Sequence, residues 1–326
     1  MAQRYSFVVP ECVNKRNEIY QYIGSTVQQM PRSFLIISFC LLTNVLSARP
    51  DTNKIFRNRK IIAGSLGGAG YVSSIVLLNE LWYKDYRTNR FHFFDDHQEW
   101  LQVDKFGHAF TCYQLGDIGI HALKWSGVKR EKAIWMGGLS GLAYMSIVEV
   151  MDGFSEGWGF SWADMSANSG GSLLLIAQEK IWKEQRIRIK FSYFPTDFPN
   201  WRPEVLGNNE IQRLFKDYNA QTYWMSLNIH AFLNSASRFP RWLNIALGIG
   251  ATGMTGGFSN PEIKDNYGNS VRFERKRQIY LSLDANLSKI QVKSKWGKKV
   301  LSAINIIKIP FPCLGLSGNK VFFSIQ

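Results

Sequence analysis

Cysteine and histidine are scarce in this chain, four and five among 326 residues. Cys12 and Cys40 fall within the first 48 residues, which leaves Cys112 and Cys313 for the remainder; two cysteines cannot build a disulfide framework. They either form one bridge in an oxidising compartment or stay free, and Cys112, on an apolar stretch, reads as a buried small hydrophobe. There is no phosphate-cradling glycine loop, nucleophile elbow, zinc-finger spacing or catalytic Cys/His pairing, which removes the enzyme and binding classes built on those motifs. Acid is also in the minority: 25 Asp and Glu against 39 Lys and Arg give a formal charge of +14. The excess lies late, in Arg272, Arg275, Lys276 and Arg277, then Lys289, Lys293, Lys295, Lys298 and Lys299. In an exported protein such charge is either solvated loop charge or suited to anionic membrane lipid headgroups or lipopolysaccharide phosphates; nucleic acid is not the expected partner.

Export is what the N-terminus predicts. Arg32 precedes an apolar run, Phe34 to Leu42, that is too short to span a bilayer, and Ser47 and Ala48 supply small residues for cleavage. A signal peptide over 30–48 then starts at Met30 and makes residues 1–29 an upstream extension; a signal-anchor or a polar arm is the alternative. Cys40 follows Phe39, a poor predecessor for a lipidated cysteine. Removing residues 1–48 lowers the formal charge by only two, so the mature chain stays basic.

The chain changes character near residue 185. Before it, long apolar runs predict helices over Ile61–Tyr83, Gln102–Trp125, Lys132–Met151 and Trp162–Trp182, the first long enough to cross a bilayer. Gly64 and Gly68, and Gly137 and Gly141, lie four apart, a spacing that lets helix backbones approach closely. Short connections predict antiparallel neighbours. After 185 the period switches to two: Ile187–Tyr193, Met225–Ala231, Leu243–Ile249 and Ile279–Leu287 alternate apolar and polar, with a short final strand over Lys320–Ile325. Pro195–Pro203 reads as a connector and Asn208–Tyr218 as a short helix. The expected fold class is α+β: an apolar antiparallel helical bundle (49–185) followed by an antiparallel β-rich region (186–326). About five strands are too few to close an outer-membrane barrel alone. They are expected to form a half-open sheet against the helices or to join a partner's sheet.

Three of the apolar helices carry polar residues that such helices do not keep without a reason. Asp104, Lys105 and His108 lie on one, Glu149 and Asp152 on the next, Asp164 and Asn168 on the last, at spacings of three or four that place each set on one helix face. Ionisable groups on apolar helices are costly unless paired, metal-bound or wetted, so these are expected to face one another. Three readings stay open. A divalent metal ion suits His108 with Glu149, Asp152 and Asp164, Lys105 and Asn168 contributing to binding. Without metal, His108 is a general base oriented by one carboxylate, with Asp104, Glu149 or Asp164 as a carboxyl of raised pKa acting as acid. The third is a structural network in which Asp104 caps its helix and Lys105 neutralises an acid. His92 and His97 flank Asp95-Asp96 in an aromatic loop placed to cover a pocket mouth; His121 and His230 read as surface or interface residues. Several of the eleven Trp (Trp82, Trp125, Trp158, Trp162, Trp182) sit at ends of apolar runs, as side chains at a membrane interface or in a core do.

The series Asp104-Lys105-x-x-His108, Glu149-x-x-Asp152 and Asp164-x-x-Ala167-Asn168-x-x-Gly171 resembles a family of uncharacterised exported bacterial proteins, periplasmic or outer-membrane, that carry a domain of unknown function. More distantly it resembles the VanZ-like membrane proteins. The resemblance covers roughly residues 95–180, with the strand-rich remainder similar to the Bacteroidota version, and this chain lacks the lipid-anchoring cysteine of some relatives. It implies a shared site in a cell-envelope protein, periplasmic or outer-membrane, and no particular reaction. Two functions follow as expectations: a metal-dependent hydrolase or transferase acting on lipid or glycolipid, or a non-catalytic component of an outer-membrane assembly or transport complex with an outer-membrane protein partner.

Overall fold

The computed structural model describes residues 52–326 apart from positions 84, 85, 89, 235 and 266. The expected upstream extension (1–29) and signal peptide (30–48) fall outside the described residues. Contacts divide the chain between residues 55 and 56, and the packing described below is that of the second unit, Phe56–Gln326.

Helix α1, Thr52–Leu78, ends in a turn of π-helix over Asn79–Tyr83. Its most apolar 18 residues have a mean hydropathy of 1.8, so by length and composition it could cross a bilayer. Ile61, Leu66, Val72 and Val76 are exposed, and nothing approaches Gly64 or Gly68, so the close packing expected of that glycine pair is not present among the described residues. Its two ends are held: Phe56 lies against Gly127 and the Arg59 guanidinium over the Trp125 ring, while Ile75 and Leu78 pack with Cys112, Met145 and Val148, and Tyr71 meets Tyr144 edge-on.

Helix α2, Val103–Trp125, is the central rod, with α3 (Arg130–Gly138), α4 (Ser140–Gly153) and α5 (Trp162–Ile181) packed on it. The single helix expected over Lys132–Met151 is therefore two, broken at Leu139, where the Ser140 hydroxyl turns back to donate to the Gly137 carbonyl. The second glycine pair does what its spacing predicts. A Cβ on Gly137 would lie 2.3 Å from the Ile120 nitrogen, one on Gly141 2.3 Å from the Cys112 carbonyl oxygen, and one on Gly171 of α5 2.1 Å from the Ala109 carbonyl oxygen. Each is nearer than a real Cβ can sit, so α2 touches three helices backbone to backbone.

The bundle hands over to the sheet through buried amides. Gln114 donates to the Ile189 carbonyl at 2.6 Å, and Gln178 to that of Ile187 at 2.9 Å, both on β1 (Ile187–Tyr193). The connector then holds two short helices, α6 (Pro203–Leu206) and α7 (Glu210–Lys216). Strands β2 (Gln221–Asn228), β3 (Leu243–Thr252), a small β4 (Ile263–Lys264) and β5 (Ser270–Val271) pair, and β6 (Lys276–Ala285) follow. Helix α8 (Lys295–Ile304), β7 (Pro312–Ser317) and β8 (Lys320–Ile325) complete the chain. The main sheet is antiparallel throughout, in the order β1-β2-β3-β6-β7-β8.

The fold is α+β as its sequence pattern predicts, with differences in detail. Strand β7 and the amphipathic helix α8 were not anticipated, because Gly315 and Pro312 weaken one pattern and the lysines of α8 read as loop charge. His230 is not in a strand: β2 ends at Asn228, whose side chain accepts from the Ala231 amide and starts a 3-10 turn over Ile229–Phe232. Cys112 and Cys313 are both buried and free.

Candidate functional site

Ser161 caps α5, its hydroxyl accepting from the Asp164 amide at 3.0 Å, which aims the first turn of that helix at α2. The same hydroxyl donates to Asp96, bringing in the loop before α2. That loop enters α2 through three successive residues in the left-handed region, Trp100, Leu101 and Gln102, with φ of 47°, 51° and 72°. Such backbone is unfavourable for L-residues and needs support. The Trp100 amide supplies some by donating to the Gly257 carbonyl at 2.8 Å, as does its ring against Tyr218.

Lys105 is the hub. Its ammonium lies 2.5 Å from Asp96, 2.9 Å from Asp104 and 2.8 Å from Asp164. One turn on, His108 Nδ1 donates to Asn168 Oδ1 at 3.2 Å, with Glu149 Oε1 3.3 Å away. Asn168 Oδ1 also accepts from the Cys112 thiol, so the amide oxygen faces the imidazole and the proton sits on Nδ1. Nε2 is left with its lone pair, 3.8 Å from Asp164 Oδ2. Glu149 is fully buried and its second oxygen accepts from the Ser161 amide at 3.3 Å. Six of the seven anticipated residues thus meet. Asp152 lines the same cavity but is held separately, accepting from the Tyr83 hydroxyl at 2.8 Å.

Asp104 does not cap its helix. Gln102 occupies that position without a side-chain cap, and the Asp104 carboxylate turns to Lys105 instead. Reasoning from sequence missed Asp96 and Glu99 as members of the site, since a loop before a helix shows no periodicity; the run of acids Asp95, Asp96 and Glu99 was the available signal. The loop lines the chamber, with Phe94 and Trp100, rather than only covering its mouth.

The cavity is about 450 Å³. Five carboxyl groups line its acidic end, Asp96, Glu99, Asp104, Asp152 and Asp164, with Glu149 buried behind them, and much of the remaining wall is apolar, including Leu78, Met145, Val148, Phe191, Phe215 and Tyr223. Burial governs the ionisation. It pushes Glu149 up to about 8, with the Asp152 charge adding, and Asp152 itself to about 7 against the Tyr83 hydrogen bond. Asp104 rises to about 6 and Glu99 to about 7 for the same reason. Asp164 rises to about 9, by burial and then by its hydrogen bond with Asp96; it is the partner that keeps the proton. Asp96 is also pushed up by burial, but hydrogen bonds from Asp164, Lys105 and Ser161 outweigh that and hold it below the usual carboxylate range. Burial and the Lys105 charge press His108 down to about 4, so its imidazole is neutral. Burial acts against the Lys105 charge too, but Asp104 and Asp164 more than compensate and hold its pKa above the ordinary lysine value.

Chemically this is a neutral imidazole with one nitrogen anchored and the other free, beside a protonated carboxyl, at the acidic end of an apolar chamber. Two sets of donors could also hold an ion: His108, Glu149 and Asp164, and Asp96, Glu99 and Asp104, each with donor atoms within 4.8 Å of one another. Among the described residues of the site, Asp104 Oδ1, Glu149 Oε1, Asp164 Oδ1 and Asn168 Nδ2 are buried and, ion-pair contacts aside, without a hydrogen-bond partner.

No curated protein and no solved structure matches this chain. Residues 92–177, the stretch that carries every acid of the site together with Lys105, His108 and Asn168, match a family described as "Predicted periplasmic lipoprotein (DUF2279)", which supports an exported cell-envelope protein carrying a domain of unknown function.

Proposed function

We propose that the chain is a cell-envelope hydrolase or transferase that takes the polar part of a lipid or glycolipid into the acidic end of the cavity. The observation that carries this reading is the His108 imidazole, anchored at Nδ1 by Asn168 and open at Nε2 beside Asp164. Nε2 is the general base for an attacking water or hydroxyl, Glu149 and Asn168 fix the ring, and Asp164, protonated near neutral pH, is the acid for the leaving group. Lys105 holds Asp96, Asp104 and Asp164 in place. An end lined by five carboxyls, some protonated and some ionised, offers both donors and acceptors to sugar hydroxyls, and the apolar wall suits acyl chains.

A second reading has an observation of its own: acids outnumber Lys105 heavily, and a divalent ion on His108, Glu149 and Asp164 would neutralise them. Such an ion would supply Lewis-acid activation of a bound water. Glu149 and Asp164 would then be ionised ligands, and Asn168 would still orient His108. Purified full-length protein incubated with an envelope glycolipid fraction tests both by mass spectrometry of the lipids. Product formation that is lost in His108→Ala and Asp164→Asn, both folded by circular dichroism, supports the site. A stoichiometric divalent ion, with activity lost to a chelator and restored by metal, selects the second reading. Turnover by His108→Ala equal to that of the parent, or none by the parent, rejects both.

A further inference from the structure

The six-stranded sheet is built with its polarity reversed. Its covered face holds a Lys190–Asp284 pair at 2.7 Å with both side chains fully buried, and around it Ser226, Asn244, Asn228 and Lys308. Asp284 accepts from Ser226 at 2.6 Å and Ser226 from Asn244 at 2.8 Å, with Trp224, Tyr280 and Cys313 filling the remaining space. The segment after β6 closes this side. Ile306 and Lys308 exchange backbone bonds with Phe191 on the β1 edge, and the Lys308 ammonium reaches the Gln326 carbonyl beyond β8 at 3.0 Å.

The helices cover the opposite face only at one corner, where Ile189 of β1, Tyr223 of β2 and Ala251 at the end of β3 pack on them. Over β3, β6, β7 and β8 it is open and apolar. The register aligns Leu247, Leu281, Leu314 and Phe323 into one cross-strand row, with Ile279, Leu316 and Val321 on one side of it and Ile245 and Leu283 on the other. All of these are exposed, from 40 % for Ile245 to 85 % for Phe323. A sheet in water buries its apolar face and wets its charged one; charge inside and leucine outside is the pattern of strands in lipid.

We propose that this face beds into one leaflet of an anionic bilayer. The dimensions select a leaflet rather than a span: the rows from Ile279 to Leu283 cover about 14 Å along the strand, against roughly 15 Å for half of a hydrocarbon core and 9–11 residues for a crossing strand. Both ends of the band carry interfacial chemistry. Arg277 and Lys320 lie at one end; Arg241 and the exposed Trp242 lie at the other. Helix α8 follows from that second end, tied there by Asn305 accepting from the Leu287 amide, and shows Trp296, Lys298 and Lys299 to solvent. Cations and tryptophan bordering an apolar band fit headgroups of negative charge above acyl chains. This inference is independent of the chemistry assigned to His108.

The test places an environment-sensitive fluorophore on Leu281→Cys in full-length protein lacking Cys12 and Cys40, since Cys112 and Cys313 are buried. With vesicles of mixed phosphatidylcholine and phosphatidylglycerol, emission shifts to the blue, brominated acyl chains quench it, and pure phosphatidylcholine gives a weaker response. Leu247→Gln with Leu314→Gln, both on the open face and so compatible with folding, lowers quenching severalfold. Emission unaffected by vesicles overturns the proposal even if another part of the chain anchors the protein. A blue shift that follows protein concentration and is not quenched by brominated lipid assigns the face to a second copy and overturns it equally.

Discussion

Replacing Lys190 by Met tests whether the covered face of the sheet is sealed. Both members of the Lys190–Asp284 pair are fully buried, and the ammonium also donates to the Ala285 carbonyl at 2.9 Å. Methionine fills most of the lysine volume, so the main change is electrostatic: Asp284 loses the cation in contact with it and keeps the Ser226 hydroxyl, the Ile309 amide and the nearby Lys308 charge. Removing one partner of a buried pair costs about 3–5 kcal/mol. Retention of Ser226 places the expected loss near the lower end, about 3 kcal/mol, or roughly 6–12 °C in Tm for a chain of this size. Chemical denaturation in mild detergent, followed by circular dichroism, measures it. The companion variant Lys190→Met/Asp284→Leu removes both charges and should recover at least half of the loss, the remainder reflecting the orphaned Ser226 hydroxyl at about 1 kcal/mol or more. A loss below about 1 kcal/mol in the single variant is what a wetted surface pair gives, and it would refute a sealed polar interior and with it the reversed sheet.

Adjacent glycines on α5 should respond oppositely. Gly171→Ala meets the Ala109 carbonyl and should destabilise by about 2 kcal/mol or more, while Gly170→Ala points into open space and should be neutral or gain up to about 1 kcal/mol from helix propensity, both read by thermal denaturation. Tyr83→Phe leaves the half-buried Asp152 carboxyl without its donor and should cost about 1 kcal/mol or more by the same measurement. Lys308, pushed down to about 8 by burial against the pull of Asp284, is charged in both states below that pH and neutral only in the folded state between about 8 and its ordinary value of 10.5. Stability should therefore rise with pH across that window, and Lys308→Met should flatten the rise in denaturation curves recorded at successive pH values.

Much of the site was legible because polar residues at helical spacing inside apolar runs are conspicuous. Asp104, Lys105 and His108 share a face by their spacing of one turn, and so do Asp164 and Asn168; no structure is needed to see that they must satisfy one another. Gly137 and Gly141 likewise marked a close helix contact. What could not be read was which partner each residue takes. Asp104 has the residue type of a cap, yet the left-handed turn at Trp100–Gln102 moves the helix start and frees its carboxylate for Lys105. Asp96 and Glu99 come from a loop, where spacing carries no facing information, and Gly64 and Gly68 have the same spacing as the second pair but nothing packed on them.

Alternation in the strands fixed two faces, one apolar and one polar, and local chemistry fixed where helices begin and end, because periodicity and capping depend only on neighbours in the chain. Which face is covered is not a local property. It depends on a distant segment, residues 286–311, folding back over the polar side and on the bundle reaching only β1, β2 and the end of β3, and those are decisions of tertiary packing. The same holds for His108, whose free nitrogen is chosen by an amide sixty residues away.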